Sequence, residues 1–159
     1  MRKKVIGDVA IASVVIVVIV VAVCSCLHRI FQHPTNYVLT HLPSSTDLIT
    51  YWDYDAPHNS TIKYQPRDTS AAAIFASALV ELSQYAPTSD LKDQFLTNAK
   101  AIVDQLSSPK YMIYGDKDYK LPALLTNGTM GPYPKNGYDV SLVYGDYYLT
   151  QAVIRLGKL

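Results

Sequence analysis

The chain has 159 residues and a net charge of +1, enough for about one domain of ordinary size with no strong electrostatic bias. Beyond Arg29, ten Lys and Arg stand against twelve Asp and Glu, so no basic stripe draws nucleic acid and that partner class is excluded. Cys24 and Cys26 are the only cysteines, which leaves the rest of the chain without a disulfide or a thiol nucleophile.

In chain order, the first element is apolar. Val9 to Leu27 carries no charge, and about 20 apolar residues suffice to cross the hydrocarbon core as a helix. Arg2-Lys3-Lys4 precede the run and a single Arg29 follows it. The positive-inside bias then predicts a single-pass signal-anchor, with the N-terminus cytosolic and the remainder exoplasmic. The alternative is a cleaved secretory signal, which also delivers the remainder across the membrane. Residues 1–30 are thus expected to be a cytosolic stub and anchor, and 31–159 a separate domain. Asn59-Ser60-Thr61 and Asn127-Gly128-Thr129 are glycosylation sequons compatible with that placement.

A short helical tail is expected over Thr35 to Leu42, before Pro43. Thr69 to Tyr85 reads as an amphipathic helix with Ile74, Ala78, Leu79 and Leu82 inward; Asp68 caps it and Pro87 prevents its continuation. The next helix runs from about Ser89, the expected cap, to Ser107. Leu91, Phe95, Ala99, Ile102, Val103 and Leu106 form its apolar stripe, and Pro109 closes the segment. The last runs from Val143 to Leu156, with Leu149, Ala152, Val153 and Leu156 inward and Gly157 at its end.

Long turn-rich stretches separate these helices. Pro43 to Arg67 holds three prolines, and Lys110 to Asp139 holds three prolines and four glycines. Such connections are longer than a simple bundle needs, and long structured loops on a helical scaffold commonly carry binding. There are 13 tyrosines, all between Tyr37 and Tyr148. A tyrosine pairs a flat apolar face with a polar tip, which suits a sugar ring as well as an interhelical wedge.

Three segments carry a resemblance: Tyr51-Trp52-Asp53-Tyr54-Asp55-Ala56-Pro57, Arg67-Asp68-Thr69-Ser70-Ala71-Ala72-Ala73, and Ser141-Leu142-Val143-Tyr144-Gly145-Asp146-Tyr147-Tyr148. In type, order and spacing, with Leu42-Pro43 just upstream, they resemble the C-terminal signatures of glycoside hydrolase family 88, the unsaturated glucuronyl hydrolases. The resemblance covers Thr35 to Leu159. It implies an all-α fold, part of an (α/α)6 six-hairpin barrel, here preceded by one transmembrane helix. It also implies removal of an unsaturated uronic acid from oligosaccharides, by hydration of the ring double bond. Family members are more than twice as long as this soluble segment. Their essential aspartate pair belongs to an N-terminal half that is not represented here, so no catalytic residue is assigned. About half of the hairpins are expected, which implies a truncated gene model, a degraded copy with little activity, or a chain needing a partner to complete the barrel.

Substrate contacts are assigned to Trp52, Tyr54, Arg67, Tyr133 and Lys135. Trp52 and Tyr54 alternate with Asp53 and Asp55, so an extended segment would place the aromatics on one face and the carboxylates on the other. For Asp53 and Asp55 the favoured role is structural, capping turns and pairing with Arg67. Arg67-Asp68 reads first as an ion pair and helix cap, although a guanidinium also suits a sugar carboxylate. Asp146 supports a helix N-terminus. Lys135, beside Tyr133 in a turn, suits a sulfate or carboxylate. His28, His33, His41 and His58 show no metal-ligand spacing, and no cofactor motif is present. The competing reading is a membrane-tethered, non-enzymatic helical domain that binds glycans or protein through its tyrosine-rich loops.

Overall fold

The computed structural model describes residues 26, 29–30, 32–43, 46–55, 65–114, 122–130 and 137–159. The predicted anchor at 9–27 lies outside these residues except for Cys26, as do Tyr133, Lys135, Asn59, His28 and His58. Among the described residues no helix is long and apolar enough to cross a membrane. The chain divides into two compact units, Met1–Asn36 and Tyr37–Leu159, and the second carries the site.

Three helices form its core: α1 (Thr69–Ser83), α2 (Ser89–Leu106) and α3 (Val143–Leu156). Helix α1 is central, packing against both of the others. Asp68 caps α1, its side chain accepting from the amides of Ser70 and Ala71. The run of small residues that follows lets α1 be buried on two sides: Ala72, Ala73, Ala76, Leu79 and Val80 are all nearly inaccessible. Helix α2 behaves as its period dictates, burying Leu91, Phe95, Ala99, Ile102, Val103 and Leu106 as one stripe. Its cap is Thr88 rather than Ser89, the Thr88 hydroxyl accepting from Leu91 N. Ser89 instead occupies the first helical position. Helix α3 ends at Gly157, whose φ of −72° lies in the right-handed region, so the glycine's left-handed freedom is not used there.

Several expected inward positions face outward. Ile74 is 39% exposed, Ala78 is exposed and Leu82 half-buried, because α1 buries the faces toward α2 and α3 and these residues lie off both. Val153 is 48% exposed, and Leu156 half-buried, while Gly145, Leu149 and Ala152 are the buried positions of α3. The early helical tail ends at residue 40, not 42, and α1 stops at Ser83.

Polar groups join α1 to α3. Ser77 Oγ donates to Gln151, and Arg155 donates to the Ser77 carbonyl while pairing with Glu81 at 2.9 Å. Near the start of α3 the helices approach closely: a Cβ at Gly145 would stand 3.1 Å from Ser70 Cβ. This position therefore requires glycine for space rather than for φ. The intervening chain adds only isolated antiparallel bridges among the described residues, Tyr51 with Arg67, Met112 with Leu125 and Gly128 with Val140.

Candidate saccharide-binding region

Two of the three signature segments converge on one loop, residues 124–129, and the third pairs with one of them through the Tyr51–Arg67 bridge. Thr69 donates its amide to the Asn127 carbonyl and its hydroxyl to the Thr126 carbonyl. In return, the Thr129 amide donates to Asp68 Oδ1 and its hydroxyl to the Arg67 carbonyl. From the other side, the two Asp146 oxygens accept from the amides of Leu124 and Leu125, both at 3.0 Å. Asp146 thus ties a loop to α3; a role confined to its own helix N-terminus understates it. Asn127 and Asp139 hold positive φ values of 57° and 54°, a region that short polar side chains tolerate. The Asn127 amide donates to Asp139 across the Gly128–Val140 bridge. The second sequon is therefore part of this hub, with Thr129 buried.

The segment 47–54 lies antiparallel to 65–68, with Trp52 N donating to the Pro66 carbonyl and Asp68 N to the Thr50 carbonyl. Arg67 pairs with Asp47 at 2.9 Å, donates to the Ile49 carbonyl, and lies 4.1 Å over the Tyr51 ring. The expected pairings of Arg67 with Asp68, Asp53 or Asp55 are not made. Asp68 is engaged in capping, and Asp53 accepts from the Asp55 amide in its own turn. Asp47, the actual partner, is 20 residues away in sequence, and Gln105 reaches the same segment by accepting from Leu48 N. No local spacing signals such a triad; only the folding of 47–49 against Arg67 creates it.

Trp52 and Tyr54 join different aromatic groups. Trp52 meets Tyr138 edge-on at 6.1 Å, just ahead of α3. Tyr54 meets Tyr37 at 5.8 Å and His41 at 5.7 Å, and Tyr37 stacks on His41 at 4.2 Å. The simple picture of one aromatic face on one strand is replaced by two clusters. Burial pushes the Tyr54 hydroxyl above its ordinary value of 10.0, with the Thr50 side chain opposing and Tyr37 and Asp68 adding to the shift. Beside it lies an apolar groove of about 300 Å³, lined by Val38, Leu48, Tyr54, Ile74 and Phe75 among others. Among the described residues no cluster of three or more His, Cys, Asp or Glu is placed to hold a metal ion.

No family model matches the chain. Individual proteins do. It is 35% identical over 126 residues to an unsaturated glucuronyl hydrolase of Formosa agariphila, across 79% of this chain and 29% of that one. Its homologues are unsaturated glucuronyl hydrolases. An unsaturated chondroitin disaccharide hydrolase of Streptococcus agalactiae is 32% identical over 134 residues, 81% of this chain and 31% of its own. The crystal structure of an unsaturated glucuronyl hydrolase specific for heparin superposes with a TM-score of 0.66 at 29% identity, covering 80% of this chain and 32% of that one. The resemblance read from the signature segments stands, over a helical part of the glucuronyl hydrolase fold. The chain spans about 30% of the length of the curated relatives it matches. That is nearer a third of the fold than the expected half.

Proposed function

We propose that this chain forms part of a saccharide-binding helical ring of the unsaturated glucuronyl hydrolase type. Its saccharide would be an oligosaccharide ending in an unsaturated uronic acid, of the kind that the names of the chondroitin- and heparin-directed relatives describe. The observation that carries the reading is the joint one: two of the segments resembling the family meet on a single loop and the third pairs with one of them, in a region 35% identical to a glucuronyl hydrolase.

The chemistry of such a reaction is addition of water across the ring double bond, after which the sugar ring opens and the adjoining residue leaves. That step needs a positioned acid and a base. Asp47, Asp68 and Asp146 serve Arg67, the α1 cap and the 124–125 amides respectively, so the proton donor is assigned to a part of the family fold beyond the matched third. The contribution of this chain is the wall of the site. The half-buried rings of Trp52 and Tyr138 offer an apolar platform for a sugar ring, with Tyr133 and Lys135, which lie outside the described residues, as further contacts. Arg67 has a structural role that keeps segment 47–52 in place.

The N-terminal run supports a signal-anchor with residues 31–159 exoplasmic, since its flanking charges are biased to one side. Protease protection of sealed microsomes checks this: residues 31–159 are expected to be shielded, and their digestion in intact vesicles would refute it.

The functional reading is tested by titrating unsaturated chondroitin disaccharide into the full chain, followed by tryptophan fluorescence, since Trp52 is the only tryptophan. The double-bond absorbance is recorded in the same samples. Saturable quenching without loss of that absorbance is expected, and Trp52→Ala, titrated by calorimetry because it has no tryptophan, should lower affinity without lowering the melting temperature. A chain that leaves the fluorescence unchanged at millimolar disaccharide would refute the reading.

A further inference from the structure

Asn-Gly occurs twice in the chain, at Asn127-Gly128 and at Asn136-Gly137. In such a pair the glycine nitrogen can attack the asparagine side-chain carbonyl carbon, because no Cβ on the glycine crowds the approach and its backbone turns freely. The new C–N bond closes a five-membered imide, and the side-chain nitrogen leaves as ammonia with the proton from the glycine amide. Water then opens the imide at either carbonyl, giving aspartate or isoaspartate. Asparagine is counted among the thermolabile residues.

At Asn127-Gly128 both nitrogens of this step are held by the hub. Gly128 N donates to the Val140 carbonyl at 2.8 Å, and the Asn127 side-chain amide donates to Asp139 Oδ1 at 3.0 Å. Val140 N returns a bond to the Gly128 carbonyl at 2.9 Å, and Thr69 N holds the Asn127 carbonyl at 3.0 Å. Gly128 is buried and has no room to swing: a Cβ there would stand 2.8 Å from Leu142 Cδ1 and 2.9 Å from the Val140 carbonyl. Ring closure therefore requires the Gly128–Val140 bridge to open first.

We propose that Asn127 is a self-modification site gated by this bridge. The closed hub protects it, opening of the loop converts it to aspartate or isoaspartate, and the product prevents the loop from reclosing. Either product replaces the amide donor with a carboxylate facing Asp139, so a hydrogen bond becomes a like-charge contact. Isoaspartate also inserts an extra carbon ahead of Gly128 N, so the bonds from Thr69 and to Val140 cannot both keep their spacing. Tyr138, next to Asp139, meets Trp52, so conversion also disturbs the wall assigned to the saccharide. The modification itself is independent of what that wall binds.

The test holds the full chain at mildly alkaline pH in buffer and in concentrated urea, with peptide mass mapping and isoaspartate methylation as readouts. Asn136 reports the rate of an Asn-Gly pair in urea within the same chain. Asn127 is expected to match Asn136 in urea and to convert about tenfold or more slowly in buffer, where local opening limits it. Asp139→Ala should narrow that gap. Converted chain should melt below the parent. Asn127→Gly, which accepts the positive φ of 57° and cannot close the ring, should keep its melting temperature through the same incubation. Conversion in buffer as fast as in urea, or none in urea, overturns the proposal. So does converted chain that melts like the parent, or an Asn127→Gly chain that loses stability at the parent's rate.

Discussion

Helices α2 and α3 are similar in length and both pack against α1, yet they treat water differently. Helix α2 separates its faces cleanly: Phe95, Ala99, Ile102 and Leu106 are buried to within 1% exposure, and its outer residues are charged. Helix α3 buries a narrow strip of Gly145, Leu149 and Ala152, and leaves Val143, Tyr147 and Ile154 to solvent. The difference teaches that burial follows periodicity closely on α2 and only over a narrow strip on α3, whose exposed face is largely apolar.

The largest expected effect comes from the buried stripe of α2. Phe95→Ala should remove about 3–5 kcal/mol of unfolding free energy in urea, whereas Tyr147→Ala should change it by about 0.5 kcal/mol or less. Equal losses at the two positions would erase the distinction between the faces.

The hub between α1 and α3 ranks next. Arg67→Ala leaves Asp47 with the more distant Lys110, 3.6 Å away, and should cost about 2 kcal/mol, part of a buried-pair penalty reduced by partial exposure. Its disaccharide affinity should match the parent; lost affinity with an unchanged melting temperature would move Arg67 from scaffold to substrate contact. Gly145→Val places side-chain atoms against the Ser70 backbone, 3.2 Å from the first added carbon. A loss of about 1–3 kcal/mol is expected, and a neutral result would show that α3 slides freely on α1.

Smaller effects sharpen the picture of the interior. The Tyr111 hydroxyl is fully buried with no hydrogen-bond partner among the described residues. Tyr111→Phe should therefore hold or raise stability, by up to about 1 kcal/mol; a marked loss would reveal a partner for that hydroxyl. Last is the flank near Tyr54. Its folded-state pKa is raised, chiefly by burial, so the folded form holds the proton more tightly than the unfolded chain. That contribution is intact below about pH 10 and is lost as pH climbs through the folded value. Tyr54→Phe should flatten this alkaline decline in melting temperature, and an identical decline in the variant would assign it to other groups.

The sequence by itself determined the three helices, the Asp68 cap and the full apolar stripe of α2, because each depends on residues within one or two turns of each other. The order of the signature segments was equally legible, and with it the family. What the tertiary structure decided is what those segments do. Arg67 meets Asp47 rather than its sequence neighbours, Asp146 serves the amides of Leu124 and Leu125, and Trp52 and Tyr54 part into separate clusters. Such partners are fixed by where distant loops cross α1 and α3, and helical periodicity holds no information about that. The same limit explains Ile74 and Val153: a period identifies an apolar position, but only the placement of neighbouring helices decides whether anything covers it.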